Sequence, residues 1–413
     1  MKRVLFVDDE PQMLSGLQRL LRPQRHEWDM KFAEGGEQAL DALEATPYDV
    51  IVTDMRMPGL DGVTLLQQVK DQWPQMVRII LSGYTELEAT LRTVPVAHQF
   101  LTKPCDPERL KDVVERACAL QSLLHRDALR AMIAEMGELP SQPGVYLALA
   151  EALADPGASM ADVARLVEQD IAMSAKCLQL VNSAFFGLGR RVTSVQQAVS
   201  YLGTDMLKAL VFTVEVFRAF EPPRGAGGFD LEALQSHSLL VARLATQVLA
   251  GRQPADDVFV TGMLHDVGKL ILVTRLPEQA AAIAAAAQAT GQPWHALEED
   301  RLGVTHAEIG AYLLGLWGLP QQTVEAVAYH HAPTRLPRRG LDVLAAVYLA
   351  DVLIDEQAAA SGLGAAESGG AGRGAPPLDE DFLAALGIVD QVPAWRTLAA
   401  ELTQAALEGE LTR

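Results

Sequence analysis

Gly262-Met263-Leu264-His265-Asp266-Val267-Gly268-Lys269 decides how the larger part of this chain is read. An apolar run ends in an imidazole and a carboxylate side by side, backed by a glycine and a lysine. Neutral imidazole nitrogen and carboxylate oxygen both suit Zn, Mn, Fe or Ni, and sequence neighbours can chelate one ion from a single turn of backbone. The pair has company. His237 lies upstream, His306 downstream, then His330-His331, then Asp351. Six of the nine histidines fall between His237 and His331, while His26, His98 and His125 lie far outside that stretch. This concentration points to a divalent-metal centre.

The bulk properties set the frame for that centre. With 413 residues the chain is too long for one ordinary core and divides into about two or three domains. Its hydrophobic share of 49% and charged share of 21% are those of a soluble globular protein. Cys105, Cys118 and Cys177 form no CxxC pair, so neither a disulfide framework nor a thiolate zinc site is indicated, and a reducing cytoplasm fits best. The start, Met1-Lys2-Arg3 followed by Val4-Leu5-Phe6-Val7, is too short and too quickly acidic for a signal peptide. No apolar run approaches the ~20 residues needed to span a bilayer, so no membrane partner is expected. The net charge of -19 argues against broad binding to nucleic acid, and neither a helix-turn-helix nor an RNP motif is present.

Val4-Leu5-Phe6-Val7 reads as a strand running into Asp8-Asp9-Glu10, and Asp49 to Thr53 as another ending in Asp54. Val77 to Leu81 reads as the fourth strand, ending at Ser82, and Gln99 to Thr102 as the fifth, ending at Lys103-Pro104. Between them fall amphipathic helices over Gln12 to Leu21, Gly36 to Ala45, Gly62 to Gln72 and Glu86 to Thr93. Alternating strands and helices imply a doubly wound α/β unit with a five-stranded parallel sheet, in which ligands gather at the carboxyl ends of the strands. Acids, a hydroxyl and a lysine at those ends suit a Mg²⁺-assisted phosphoryl-acceptor site, because Mg²⁺ needs few protein ligands when phosphate supplies others.

Over residues 1–121 the sequence resembles the receiver domain of two-component response regulators. The resemblance implies that Asp8, Asp9 and Asp54 hold Mg²⁺, that Asp54 accepts phosphate from a cognate histidine kinase, and that Ser82 and Lys103 bind the phosphoryl oxygens. It also implies that Phe100 is the switch aromatic and that Lys103-Pro104 is a cis-prolyl bond.

Pro107 to about Glu135 has helical spacing, with residues 122–138 as a connector helix that packs on its own core or pairs with a second copy in a homodimer. Leu139 to Gly144 breaks it. From Val145 to Leu353 nearly everything reads as helix: Val145 to Ala154, Met160 to Gln169, Ile171 to Ser183, Ser194 to Leu202 and Thr204 to Phe220. Asp170-Ile171-Ala172-Met173, Val181-Asn182-Ser183-Ala184, Ser194 to Ala198 and Tyr201-Leu202-Gly203 resemble HDOD domains, helical output modules related to the HD metallohydrolases. Ile171 stands where that family usually has proline. Asn182 reads as a cap or a buried hydrogen-bonding side chain. The expected output domain spans 139–355, followed by a flexible Gly/Ala-rich linker at 356–377 and a helical extension at 378–413.

The order His, His-Asp, His, His-His, Asp is that of the HD-GYP phosphodiesterases, which cleave cyclic di-GMP. That resemblance assigns His237, His265, Asp266 and Asp351 to one ion, and Asp266, His306, His330 and His331 to another, with Lys269 towards a phosphate. The ions would be Fe, Mn or Zn. After His330-His331, however, the chain reads Ala332-Pro333-Thr334-Arg335-Leu336-Pro337, without the Gly-Tyr-Pro signature. Two main readings of the output follow: contact with a downstream signalling protein, or hydrolysis of a cyclic dinucleotide. A metal-sensing scaffold is a third.

Overall fold

The computed structural model describes residues 1–82, 96–103, 105–120, 127–134, 140–141, 143–154, 159–182, 192–208, 218–219, 229–251, 255–336, 340–360 and 377–407. The first region alternates β1 (Lys2–Val7), α1 (Pro11–Leu20), β2 (Trp28–Ala33), α2 (Gly36–Ala45), β3 (Val50–Asp54), α3 (Gly62–Gln72), β4 (Val77–Ser82) and β5 (Gln99–Thr102), then α4 (Pro107–Leu120). All strand pairs are parallel, and the order is β2-β1-β3-β4-β5. Val4 to Phe6 and Val50 to Val52 are fully buried because helices cover both faces of the sheet. The order reverses between β1 and β3, and Asp8 and Asp54 end those two strands, so the acids flank the crevice where such sheets bind ligands. Strand β2 lies at the edge, and its charged Asp29 and Lys31 interrupt the apolar run that marks the central strands. The expected helix over Glu86 to Thr93 lies outside the described residues, as does Pro104.

Helix α5 (Asp127–Ala134) precedes a helical region of α6 (Pro143–Ala154), α7 (Met160–Glu168), α8 (Ile171–Val181) and α9 (Val195–Lys208). Asp170 caps α8 by accepting from the Met173 amide. Gly203, at φ 71°, breaks α9 where the sequence placed a helix boundary. The expected helix to Phe220 is corrected at its end. Arg218–Ala219 forms a short strand parallel to Pro140–Ser141, a two-residue pairing too short to leave any periodicity.

The remainder comprises α10 (Leu231–Val248), α11 (Ala255–Leu264), α12 (Val267–Arg275), α13 (Pro277–Thr290), α14 (Trp294–Leu302), α15 (His306–Leu316), α16 (Gln321–Tyr329), α17 (Val343–Ala360), α18 (Glu380–Leu386) and α19 (Val392–Leu407). The expected linker at 356–377 begins too early, since Glu356 to Ala360 belong to α17. Arg396 of α19 forms two hydrogen bonds to the Glu356 carboxylate, at 2.8 and 3.0 Å. Phe382, Trp395 and Ala399 of the extension are buried with α10 and α17 in one apolar cluster. Among the described residues no single helix is long and apolar enough to cross a bilayer.

Two glycines of the opening stretch set the helix spacing. A Cβ on Gly262 would lie 2.5 Å from Ala242 Cα, which brings α11 against α10. A Cβ on Gly268 would lie 1.9 Å from the His306 carbonyl oxygen, so α12 and the start of α15 meet backbone to backbone. Gly268→Ala should therefore lower stability by about 1–3 kcal/mol through overpacking. Gly16→Ala, with nothing within 4 Å of its Cβ inside α1, should be neutral or stabilising by up to about 1 kcal/mol. Urea midpoints of the two variants check this, and a Gly268→Ala protein as stable as the parent would refute the close approach.

Candidate metal centre and phosphoacceptor site

At the carboxyl edge of the sheet, Asp8, Asp9 and Asp54 each offer an oxygen within 4.8 Å of the others. Lys103 donates to Asp8 Oδ2 at 2.7 Å and lies 2.8 Å from Asp54 Oδ1, so one ammonium spans both carboxylates. The position of Asp54 is fixed from behind. A Cβ on Gly62 would sit 1.9 Å from the Asp54 carbonyl oxygen, and Asp61 caps α3 by accepting from the Thr64 amide at 2.7 Å. Burial raises the Asp54 pKa above the usual carboxylate value against the pull of Lys103, and the Asp8 charge adds to the rise. Burial opposes the Lys103 charge, yet hydrogen bonds and charge from Asp54 and Asp8 outweigh it and raise its pKa. Three acids and a lysine in this arrangement suit Mg²⁺ and a phosphoryl group. The side chains of Ser82 and Phe100 lie outside the described residues.

In the helical region the structure brings together all seven side chains that the sequence assigned to a metal centre. His237 comes from α10, His265 and Asp266 from the α11–α12 junction, His306 from the first residue of α15, His330 and His331 from the end of α16, and Asp351 from α17. They form two sets, each with its ligand atoms within 4.8 Å of one another: Asp266, His306, His330 and His331, and His237, His265 and Asp351. Asp266 faces both. Its Oδ1 lies 3.0 Å from His306 Nε2 and 3.8 Å from His330 Nε2, while Oδ2 lies 3.5 Å from His265 Nε2. Lys269 donates to the same Oδ2 at 2.6 Å, so it neutralises the shared carboxylate and does not stand free for a phosphate.

The donor atoms have the character of metal ligands. His265 Nδ1 donates to the Gly262 carbonyl at 2.7 Å and His330 Nδ1 to the Val327 carbonyl at 2.8 Å. Each ring thus spends its outer nitrogen on its own helix and turns Nε2 inward. Those two Nε2 atoms are buried without a hydrogen-bond partner, and Asp266 Oδ1 lies 3.0 Å from His306 Nε2. Such orphans are costly in a protein interior unless something else satisfies them. Three convergent lone-pair donors fit a Zn, Mn or Fe ion of mixed nitrogen and oxygen ligation.

Electrostatics divides the rings. Burial lowers His330 to about 3, with His265 adding to it, and holds His331 well below the usual histidine value. His306 is the opposite case: burial works against its charge, but Glu298 and Asp266 raise it to about 9. Burial likewise opposes the charge of Asp266, which Lys269, His265 and His306 nonetheless hold well below the carboxylate range.

Three participants escaped the sequence reading. Glu298 accepts from His306 Nδ1 at 2.6 Å, Asp355 lies 3.6 Å from His237 Nδ1, and the His295 ring stacks on His331 with centroids 4.1 Å apart. Asp355 follows Asp351 by four residues on one helix face, a spacing that could have revealed it. Glu298 sits in the run Glu298-Glu299-Asp300, where nothing in the sequence singles it out. Asn182 does what its cap-like setting suggested: Oδ1 accepts from the Val192 amide at 2.7 Å, and Nδ2 donates to the Leu178 and Val192 carbonyls. At the His237 edge the cluster borders a cleft of about 390 Å³, walled by Asp230, Glu232 and Ser236 of the α10 end and Thr403 and Ala406 of α19.

Comparison with known proteins gives matches over both regions. The model of the response regulator receiver domain matches residues 4–115, and that of the HDOD domain residues 139–333. An uncharacterised protein of Treponema pallidum is 26% identical over 230 residues, covering 55% of this chain and 44% of the relative. The hydrogenase transcriptional regulatory protein HoxA of Cupriavidus necator is 38% identical over 128 residues, covering 30% of this chain and 26% of the relative. This chain thus spans less than half the length of these curated relatives. Among solved structures, the MmoQ response regulator of Methylococcus capsulatus matches at 26% identity, covering 60% of this chain and 98% of that one, with a TM-score of 0.45. An HDOD domain protein of unknown function from Geobacter sulfurreducens matches at 25% identity, covering 70% and 95%, with a TM-score of 0.39. The chain thus carries a response regulator receiver domain followed by an HDOD domain.

Proposed function

We propose that this protein is a cytoplasmic, phosphorylation-controlled response regulator that accepts phosphate on Asp54 from a cognate histidine kinase and signals through its HDOD domain by contact with a downstream protein. The observation that carries this reading is the Lys103 ammonium, held between Asp8 and Asp54 beside the acid triad suited to Mg²⁺. A phosphoryl group on Asp54 adds charge and acceptor oxygens and so competes for that ammonium. Lys103 follows β5, and Gln99 at the start of β5 is buried against the far end of α15, donating to the Gly315 carbonyl at 3.4 Å. Helices α4 and α5 also pack on α15, whose first residue is His306. One helix therefore joins the receiver to the histidine cluster, and a shift of β5 on phosphorylation reaches the output along it.

A second reading, metal-dependent phosphohydrolysis, rests on the two ligand sets that share Asp266. Ions bound there would supply a Lewis acid and an activated water. The chain's own contribution would be to hold the ions through its histidines and the shared Asp266, whose charge Lys269 offsets. Asp230 and Glu232, at the cleft bordering His237, disfavour an anionic dinucleotide approaching from that side.

Three tests bear on these readings. Incubation with a labelled small phosphodonor and Mg²⁺ should label the protein, and Asp54→Asn should reduce the label to background; label persisting elsewhere would overturn the receiver assignment. Elemental analysis of protein purified without chelator should find about two transition-metal ions per chain, and the His265→Ala, Asp266→Ala double variant should lose them. If the parent also hydrolyses cyclic di-GMP and the variant does not, the phosphohydrolase reading prevails; loaded protein without hydrolysis leaves the signalling one.

The third test follows from protonation. His306 is raised from 6.5 to about 9 in the metal-free fold, so its extra stability is fully present below pH 6.5 and is lost as the pH rises through 9. Thermal unfolding of metal-free protein should accordingly weaken across pH 6.5–9. Metal uptake at pH 7 should release protons, because His306 must surrender its proton to ligate, as must the protonated fraction of His237, whose pKa Asp351 and Asp355 raise against the pull of burial. Uptake of Mn²⁺ with no proton release would exclude His306 as a ligand.

A further inference from the structure

The two inward-facing sets contain two kinds of histidine. His265 and His330 are oriented locally, each Nδ1 donating to a carbonyl three residues earlier on its own helix. His306 cannot use that device. It is the first residue of α15, so no helical turn precedes it to offer a carbonyl. Glu298, fully buried on the preceding helix α14, takes the role instead: its Oε2 accepts from His306 Nδ1 at 2.6 Å and from the His306 amide at 2.7 Å. The ring is thereby fixed with Nε2 towards Asp266. On the other side of the cluster, Asp355 faces His237 Nδ1 at 3.6 Å, while His237 Nε2 lies 3.0 Å from Asp351.

We infer that Glu298 and Asp355 are positioning residues, each of which holds one histidine so that its Nε2 serves a different one of two adjacent metal ions. The inference rests on the metal-centre reading and names which chain groups set each half of it. A carboxylate behind a ligating imidazole fixes its tautomer and raises its basicity, and loss of such a partner typically weakens metal binding by about 10–100-fold. A purely structural role, in which Glu298 only satisfies the N-terminus of α15, predicts lower stability without selectivity between the ions.

The test is Mn²⁺ binding to chelator-treated full-length protein by equilibrium dialysis, with circular dichroism confirming the fold of each variant. The parent should bind two ions. Glu298→Ala should weaken one site by about 100-fold and leave the other unchanged, and Glu298→Gln, which keeps an acceptor for both donors, should weaken the same site by about 10-fold. Asp355→Asn should weaken the other site, so that Glu298→Gln combined with Asp355→Asn weakens both. If Glu298→Ala does not fold, the Gln and Asn variants decide alone. In the metal-free protein, ¹⁵N–¹H spectra should report His306 protonated at Nδ1 in the parent and no longer held so in Glu298→Ala. Folded single variants that bind two ions like the parent, or that lose both sites together, would overturn the positioning roles. A parent that takes up no Mn²⁺ would instead overturn the metal reading, and this inference with it.

Discussion

The contact on which the helical half depends is one of backbone with backbone: Gly268 against the carbonyl of His306. It removes the space that any side chain would need between α12 and α15, and it fixes the distance between Asp266, which immediately precedes the first, and His306, which opens the second. Their side chains meet at 3.0 Å. Gly310 repeats the approach one turn along, where a Cβ would lie 3.0 Å from the Gly268 amide nitrogen. A pair of helices held this closely cannot slide without forcing atoms into overlap, because packed interiors yield little. The two ligand sets are then built outward from that fixed pair, with His330 and His331 approaching from one side and His237, His265 and Asp351 from the other.

The same geometry explains why so polar a cluster lies in an apolar interior. His265, Asp266, His306 and His330 are fully buried, and each hydrogen-bonds or pairs in a way that leaves an inward-facing donor. Uncompensated, the two orphaned Nε2 atoms would cost about 1–3 kcal/mol each. Without an ion the centre is partly satisfied by protons: His306, raised to about 9, carries one beside Asp266, and the Lys269 ammonium covers the other carboxylate oxygen. An ion would replace the proton on His306 and reach the orphans that a proton on that ring cannot.

Much of this was legible in the sequence, and what was not has identifiable causes. Helices Gly36–Ala45 and Gly62–Gln72 have the bounds their apolar spacing predicts, and the buried strands announce themselves as apolar runs ending in acids. Strand β2 did not, because an edge strand with alternating exposure carries Asp29 and Lys31 within it. The seven cluster residues could be read because metal chemistry restricts their types to histidine and acid. Glu298 could not, since its significance arises only where the turn after α14 folds back onto α15, and a single buried glutamate in an acidic run looks like solvated surface. Ala358 to Ala360 misled for another reason: a run of alanines is equally consistent with a helix end and with a linker, and packing of the C-terminal extension on α17 decided for helix.

The placement of α15 bears on how one chain can unite two sites. Its end near Gly315 meets the receiver through Gln99, and its start presents His306 to the cluster. A helix of 11 residues is about 16 Å long, short enough to act as one rigid piece. Gly318, at φ 75°, follows directly, and a Cβ there would lie 3.0 Å from the Gln99 side chain, so the turn and β5 are fitted to each other. Along this route no signal has to pass through solvent or through a loosely packed linker. A displacement of β5 by even a fraction of an ångström must be taken up either by the Gln99–Gly318 contact or by α15 as a whole. The Gly268 contact at the helix start leaves little free space there. Helix α15 thus ties the sheet edge to the centre through packed contacts at both of its ends.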